Sequence, residues 1–179
     1  IDFIQFGRKD KILHECAIKY CKLHTGYKYI YRKEDYVLDS EMVMYSDGKE
    51  KKIGIIASRE EFMSYLGRSR FALCSTPLAS GARSFGDGID FLTARWYESL
   101  IAGCHILGHW SEQADHEMQM TGLSEISDNI CDYDDFDFAL RECEVLDKPC
   151  LLKLINRNTT SSRAIEVKTV LEDKGCLGE

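Results

Sequence analysis

Proline is scarce in this chain, with two residues in 179, and the sequence contains no internal repeat and no low-complexity tract. A proline-rich linker and a repeat array are therefore excluded. No run of 18 apolar residues is present, and the N-terminus lacks the basic and apolar pattern of a signal peptide. The sequence predicts neither a membrane span nor a secretory leader.

Positive charge is also in deficit, since 23 lysines and arginines face 30 acidic residues and leave a net charge of −7. Nucleic-acid binding needs a concentrated basic face, so this function is disfavoured. A small anionic ligand needs only a few local cations and backbone N–H groups, and that class of ligand stays open.

The signatures of several enzyme classes are missing. No G-x-S-x-G, Walker loop or G-x-G-x-x-G is present, which disfavours a nucleophile-based hydrolase and a typical dinucleotide dehydrogenase.

The eight cysteines include no C-x-x-C pair, and several lie in apolar runs. This pattern is typical of free, buried thiols and therefore favours a reducing cytosol as the setting. His105 and His109 are four residues apart, but His105 falls in a predicted strand, where this spacing makes no ligand pair. We expect no metal and a cytoplasmic location, including the inner face of the membrane.

What the chain does contain is an alternation of strand and helix patterns. Residues 1–6 are an apolar run, and residues 27–31 are rich in β-forming side chains. Between them, residues 10–23 carry apolar side chains at helical spacing, with Asp10 as a suitable N-cap. Strand, helix and strand in this order predict a parallel sheet with a right-handed crossover.

The same alternation continues along the chain. Two apolar runs flank Asp47-Gly48 and predict either a hairpin or two separate strands, and Ser58 with Glu61 predicts a capping box. The other predicted elements are strands at 71–75 and 104–108, a helix from Thr93 to Gly103, a short strand and turn at 130–135, a helix at 136–143, and a closing helix capped near Thr159 to Ser162. We therefore predict one α/β domain over residues 1–179, a Rossmann-like doubly wound parallel sheet with helices on both faces, cut from a longer protein.

The first candidate site follows the first strand, where Gly7 and Arg8 are succeeded by Lys9 and Lys11. In open α/β sheets, ligands bind beyond the carboxyl ends of the strands. Glycine lets the backbone approach a phosphate, and arginine presents a bidentate fork to its oxygens. The alternative is a solvated basic turn, and the Gly-Arg-Lys sequence at residues 7–9 does not exclude it by itself.

The second candidate is the helix entered from the long polar segment 76–90, because such loops tend to be functional. The free N–H groups of Thr93, Ala94 and Arg95 suit a phosphate. Glu98, about one and a half turns into the helix, is placed to accept both hydroxyls of a ribose, and Asp90 to accept sugar hydroxyls. The alternative makes Glu98 a surface residue and Asp90 a turn residue.

The side chain of Arg95 and three further residues belong to the same prediction. Arg95 and Arg83 are candidate ligands for a diphosphate, against the alternative of ordinary surface arginines. Ser75 and Thr76 end the strand predicted at 71–75, so they too are expected to face the crevice beyond the sheet.

With these residues in place, nearly the whole chain resembles the C-terminal, donor-binding domain of a bacterial GT-B glycosyltransferase of the group 1 type. The segments that carry the likeness are IQFGRK (4–9), ASREEFMSYLGRSRFALCST (57–76), ARWYESLIAGCHILG (94–108) and RNTTSSRAIEVKTVL (157–171). The resemblance implies Glu98 on the nucleotide ribose and Asp90 on the donor sugar, in the place of the family's first glutamate. It also implies Arg8 on the diphosphate, with Lys11 preferred over Lys9 as its partner.

The implied reaction transfers a glycosyl group from a nucleotide diphosphate sugar to a hydroxyl acceptor, in synthesis of capsule, lipopolysaccharide or another cell-surface polysaccharide. Basic side chains and a helix start would stabilise the leaving diphosphate, with no metal or other cofactor. A missing N-terminal domain would hold the saccharide acceptor, so we expect this chain alone to bind the donor weakly without transfer. Two alternatives stay open: half of a non-hydrolysing sugar-nucleotide epimerase, and a non-catalytic interaction module.

Overall fold

A computed structural model of the protein describes residues 1–33, 41–81, 88–143 and 148–159, together with residues 161, 162, 164, 165, 168 and 169. The strands in these residues are β1 (Phe3–Gln5), β2 (Lys28–Arg32), β3 (Met42–Ser46), β4 (Lys49–Gly54), β5 (Phe71–Ser75), β6 (His105–His109) and β7 (Ser127–Asn129). The helices are α1 (Lys11–Leu23), α2 (Arg59–Leu66), α3 (Ala94–Ile101), α4 (Asp115–Thr121), α5 (Tyr133–Glu142) and α6 (Lys148–Arg157). Within the described part of the chain, no helix has the length and apolar character needed to cross a bilayer.

The seven strands form one sheet in the order β4-β3-β2-β1-β5-β6-β7. The five strands from β2 to β7 in this order pair in parallel, whereas β3 and β4 join as an antiparallel hairpin. The hairpin turns at Asp47 and Gly48, both with positive φ, at 49° and 77°, as a two-residue hairpin turn requires. The predicted Rossmann-like doubly wound fold is confirmed, and its sheet is mixed at one edge.

Helices cover both faces of the sheet because strand side chains alternate between them. On one face Ile4, Ala72 and Ile106 pack with apolar side chains of α2, α3, α4 and α6. On the other face Phe3 and Phe71 pack with α1 and α5. The near-continuous apolar strands of the sequence are thus buried from two sides, as in other parallel sheets.

The two edges of the sheet differ in composition. β4 has the sequence KEKKIG, and its lysines Lys49, Lys51 and Lys52 are exposed. At the opposite edge, β7 has three residues. The lysines of β4 are suited to a sheet edge that faces solvent, whereas the apolar residues of the central strands are suited to burial.

Two helix starts at the carboxyl edge of the sheet confirm their predicted caps. The Asp10 carboxylate accepts a hydrogen bond from Leu13 N at 3.0 Å. Ser58 Oγ accepts from Glu61 N at 3.1 Å, whereas the Glu61 carboxylate accepts from Ala57 N at 3.1 Å. The return bond therefore reaches one residue further out than in a standard capping box.

The C-terminal third departs from the sequence prediction. The strand predicted at 130–135 lies earlier, as β7, and Asp132 instead caps α5 by accepting from the amides of Asp134 and Asp135. Helices α4 and α6 are additional to those predicted. Near the predicted closing cap, Ser162 N donates to Thr159 Oγ1 at 3.2 Å.

Candidate functional site

A cavity opens where the strand order reverses. β1 and β5 are neighbours in the sheet, although the chain visits β2, β3 and β4 between them. Doubly wound sheets bind ligands beyond the carboxyl ends of the strands at such a reversal. The volume here is about 330 Å³, at the lower end of the range for small-molecule sites. This central cavity is lined by Phe6, Gly7, Arg8, Leu73, Cys74, Ser75, Pro77, Ser80, Phe91, Thr93 and Arg95.

The structure brings together the two candidate sites predicted from separate parts of the sequence. Gly7 and Arg8 line the central cavity from the loop after β1, and Ser75 lines it from the end of β5. Thr93 and Arg95 line it from the start of α3. Ala94, the first residue of α3, lies between these two in the chain.

Other predicted residues lie away from the cavity wall. Lys11 is exposed as the first residue of α1, and Lys9 Nζ donates to the carbonyl of Lys33 at 2.7 Å. Thr76 is fully buried, and Arg83 lies outside the described residues. Arg8 is thus the basic residue of the first loop that borders the cavity.

Gly7 turns the chain at the cavity mouth with φ of 90°, a conformation that side-chain-bearing residues rarely adopt. A Cβ at this position would lie 3.9 Å from Arg95 Nε, which is an ordinary contact. The backbone conformation, rather than a lack of space, therefore explains the glycine. The turn leaves the backbone of residue 7 close to the guanidinium of α3.

Arg95 is held by an aromatic ring and a carboxylate. Its guanidinium lies 4.5 Å from the centroid of the Phe62 ring, and that ring packs edge-on against Phe6 at 4.4 Å. Arg95 Nη1 donates to Glu98 Oε2 at 2.6 Å. A stacked and paired arginine keeps its remaining N–H donors in a defined direction.

Glu98 lies between two arginines. Its Oε1 accepts from Arg59 Nη1 at 2.7 Å, while its Oε2 accepts from Arg95. The Glu98 side chain is 7% exposed, so both pairs involve a largely desolvated carboxylate. Glu98 is therefore a buried acceptor behind Arg59 and Arg95, in contrast to the alternative of a surface residue.

A second, flanking cavity of about 220 Å³ lies beside the central one. It is lined by Phe6, Arg32, Met42, Ile56, Ala57, Ser58, Arg59, Phe62 and Arg95. Phe6 and Arg95 belong to both cavities, so these side chains form the partition between them. The two cavities are therefore adjoining compartments. Arg8 lines the central one and Arg59 lines the flanking one.

Sequence reasoning did not select Arg32 or Arg59. A usable signal was nonetheless present, because Arg32 directly follows the strand predicted at 27–31 and Arg59 follows the predicted helix cap at Ser58. Strand ends and helix starts meet at the carboxyl edge of a doubly wound sheet. The aromatic residues Phe6 and Phe62 of the flanking cavity had no such signal, since the sequence pattern placed both side chains in the core.

The start of α3 faces the central cavity with little capping of its own. Thr93 occupies the N-cap position but makes no side-chain cap hydrogen bond. The first amides of a helix then remain available to an acceptor outside it. This arrangement supplies partial positive charge next to Arg95.

Asp90 is buried beneath the cavity wall, with 6% of its surface exposed. Its carboxylate accepts four hydrogen bonds: from Thr76 Oγ1 at 2.5 Å, Ser111 Oγ at 2.6 Å, Leu78 N at 2.9 Å and Ser111 N at 3.4 Å. Burial raises the pKa of Asp90, but the bonds from Ser111, Thr76 and Leu78 outweigh burial and the pKa is lowered.

The two histidines of β6 contact different groups. His105 lies beside the Phe71 ring, with centroids 5.8 Å apart, and burial lowers its pKa. His109 Nδ1 lies 2.8 Å from Asp10 Oδ2. Among the residues that the structure describes, no three side chains of His, Cys, Asp or Glu are grouped closely enough to hold a metal.

Comparison of the chain with protein-family models, with curated proteins and with solved structures finds no match.

Proposed function

We propose that this protein binds a nucleotide diphosphate sugar across the two cavities and serves as the donor-binding domain of a glycosyltransferase. One observation carries the proposal: Gly7, Arg8, Thr93 and Arg95 line one cavity at the reversal of the strand order. Two guanidinium groups, an uncapped helix start and a turn with exposed backbone together suit a diphosphate.

The diphosphate is assigned to the partition, between Arg8 and Arg95. Arg95 lines both cavities, so a ligand bound there can extend in two directions. The first amides of α3 add donors for the phosphate oxygens.

The nucleoside is assigned to the flanking cavity. Glu98 lies behind this wall and is held by Arg59 and Arg95, and a carboxylate accepts both hydroxyls of a ribose. Phe6 and Phe62 supply apolar surface for the base. Binding a ribose at Glu98 requires one arginine to shift toward the phosphates.

The sugar is then left in the central cavity. In the proposed transfer, the acceptor oxygen bonds to the anomeric carbon while the bond from that carbon to the diphosphate oxygen breaks. The diphosphate leaves with the electron pair, and the acceptor hydroxyl gives its proton to a general base. Arg8 and Arg95 stabilise the negative charge that develops on the leaving group.

Calorimetric titration of the purified chain with UDP, GDP, ADP, dTDP and CMP tests this proposal. We expect saturable binding to one diphosphate, weakened about tenfold or more in Arg95→Ala because a charged contact is lost. Arg141→Ala is the matched control, because Arg141 lies on α5 and its side chain is 67% exposed.

Binding of inorganic pyrophosphate distinguishes the proposed diphosphate contacts from the proposed ribose contact. Arg95→Ala should weaken pyrophosphate and nucleotide alike, whereas Glu98→Gln should weaken the nucleotide more than pyrophosphate, because only the nucleotide has a ribose. Absence of binding to every diphosphate, or binding that Arg95→Ala leaves unchanged, would overturn the proposed site and favour an interaction module. Release of an epimerised sugar nucleotide without an acceptor would favour the epimerase.

A further inference from the structure

The segment that leads into α3 is tied at three points to residues 111–117, which run from the loop after β6 into α4. Asp90 accepts from the hydroxyl and amide of Ser111. The amide of Asp90 donates to Gln113 Oε1 at 3.3 Å, and the amide of Leu92 donates to Glu117 Oε2 at 2.9 Å. Both backbone and side chain of this short segment are therefore held by residues 111–117.

Asp90 also ties the same segment to the end of β5. It accepts from the hydroxyl of Thr76 and the amide of Leu78, and the neighbouring residues Ser75 and Pro77 line the central cavity. Three of its four donors reach Oδ2 and one reaches Oδ1. Asp90 is 6% exposed and does not line the central cavity, so a sugar held in that cavity would meet this carboxylate only if the wall rearranged.

We propose that Asp90 is a positioning residue, which sets the start of α3 against the end of β5, and that it does not bind the donor sugar. Its hydrogen bonds fix where Thr93 and Arg95 stand relative to Ser75. This inference rests on the proposed function for its ligand, and it changes the role that the sequence resemblance implied for this residue.

The decisive comparison is between a nucleoside diphosphate and the matching nucleotide sugar. A positioning role predicts that Asp90→Asn weakens both ligands by the same factor, about fivefold to tenfold, because the diphosphate contacts are displaced. A sugar contact predicts a loss confined to the nucleotide sugar, and that result would overturn the inference.

Ser111→Ala gives a second, independent arm. It removes the Ser111 hydroxyl donor but leaves the carboxylate in place. We expect it to weaken both ligands equally, by a smaller factor than Asp90→Asn. Unchanged or tighter binding of the nucleotide sugar in Ser111→Ala would contradict the positioning role.

General loss of stability is separated from positioning by Thr121→Val. Thr121 is fully buried, and its hydroxyl bonds to the carbonyl of Met118 and the amide of Leu123, at the far end of α4. This control should lower the melting temperature as Asp90→Asn does and leave ligand affinity unchanged. A fall in affinity in Thr121→Val equal to that in Asp90→Asn would show that stability alone explains both.

Amide hydrogen exchange of the ligand-free protein keeps the test independent of the proposed function. Asp90→Asn should speed exchange at Leu78, Leu92 and Trp96, which donate to Asp90, Glu117 and Thr93 in the wild type. Wild-type exchange at Leu92 and Trp96 in the variant would overturn the inference. If no nucleotide binds the wild type, the proposed function fails while the exchange result still decides the role of Asp90.

Discussion

Arg95 and Glu98 show how a few charged residues form a local cationic cluster in an acidic protein. Glu98 neutralises part of the charge of Arg59 and Arg95 and holds both side chains in place. Removing either arginine would leave the largely buried Glu98 carboxylate with the other arginine as its partner. The pairing thus organises a cationic site within a chain of net charge −7.

We expect Asp90 to make the stability of the fold depend on pH in acid. Its pKa is lower in the folded protein than in an unfolded chain, because its hydrogen bonds outweigh the effect of burial. Such a carboxyl stabilises the fold above the unfolded pKa, about 4, and this contribution is lost as the pH falls through the folded pKa.

We therefore expect the free energy of unfolding to fall more steeply with acid in the wild type than in Asp90→Asn. Urea unfolding between about pH 6 and pH 3 measures this difference. The exposed residue Glu142, at the end of α5, provides the control Glu142→Gln. Parallel pH profiles for wild type and Asp90→Asn would contradict the prediction.

Among the elements, β6 and α3 meet through two tryptophans. Trp96 is fully buried, and its ring meets that of Trp110 at 5.8 Å and 73°. Gly108 on β6 makes room for both: a Cβ there would lie 2.6 Å from Trp96 Cη2 and from Trp110 Cζ3. The position of α3 on the sheet depends on the space left by the missing side chain of Gly108. The start of α3 at the central cavity depends on it as well.

Gly108→Ala should therefore destabilise the protein by about 1–3 kcal/mol or more, because two buried rings must move. Gly67→Ala is the control, because residue 67 has φ of −64° and its Cβ would lie 3.4 Å from the Met63 carbonyl. This control should stay within about 1 kcal/mol of the wild type. Denaturant unfolding of both variants measures the difference. An equal loss of the free energy of unfolding in Gly108→Ala and Gly67→Ala would contradict the steric explanation.

The elements also show what the sequence could predict. Asp10 and Ser58 were identifiable as caps because their bonds are local, and the α/β class followed from the alternation of patterns. The short helix α4 and the three-residue strand β7 depend on distant partners, so their local patterns were weak. The role of Asp90 was hidden for the same reason, since Ser111 lies 21 residues away along the chain.

The whole molecule has two apolar cores, one on each face of the sheet, and cysteines lie in both. Cys16 and Cys21 belong to the face covered by α1, and Cys74 and Cys104 to the face covered by α3. Burial raises the pKa of Cys16 to about 11 and the pKa of the other three to about 12. The thiolate is the reactive form, so these four thiols should be inert in the folded state.

We expect a thiol reagent at about pH 8 to label exposed Cys131 within minutes and these four cysteines only after unfolding. Mass spectrometry of peptides, taken at several times with and without urea, assigns each site. Rapid labelling of Cys74 or Cys104 in the absence of urea would show that the core behind the central cavity is open.

The lysines of β4 have a consequence for behaviour at high concentration. An edge strand offers its backbone to any other strand that approaches, and sheets can join across molecules in this way to form aggregates. Lys49, Lys51 and Lys52 would bring like charges together in such a contact between two copies. These lysines line neither cavity, and we expect their repulsion to oppose edge-to-edge association.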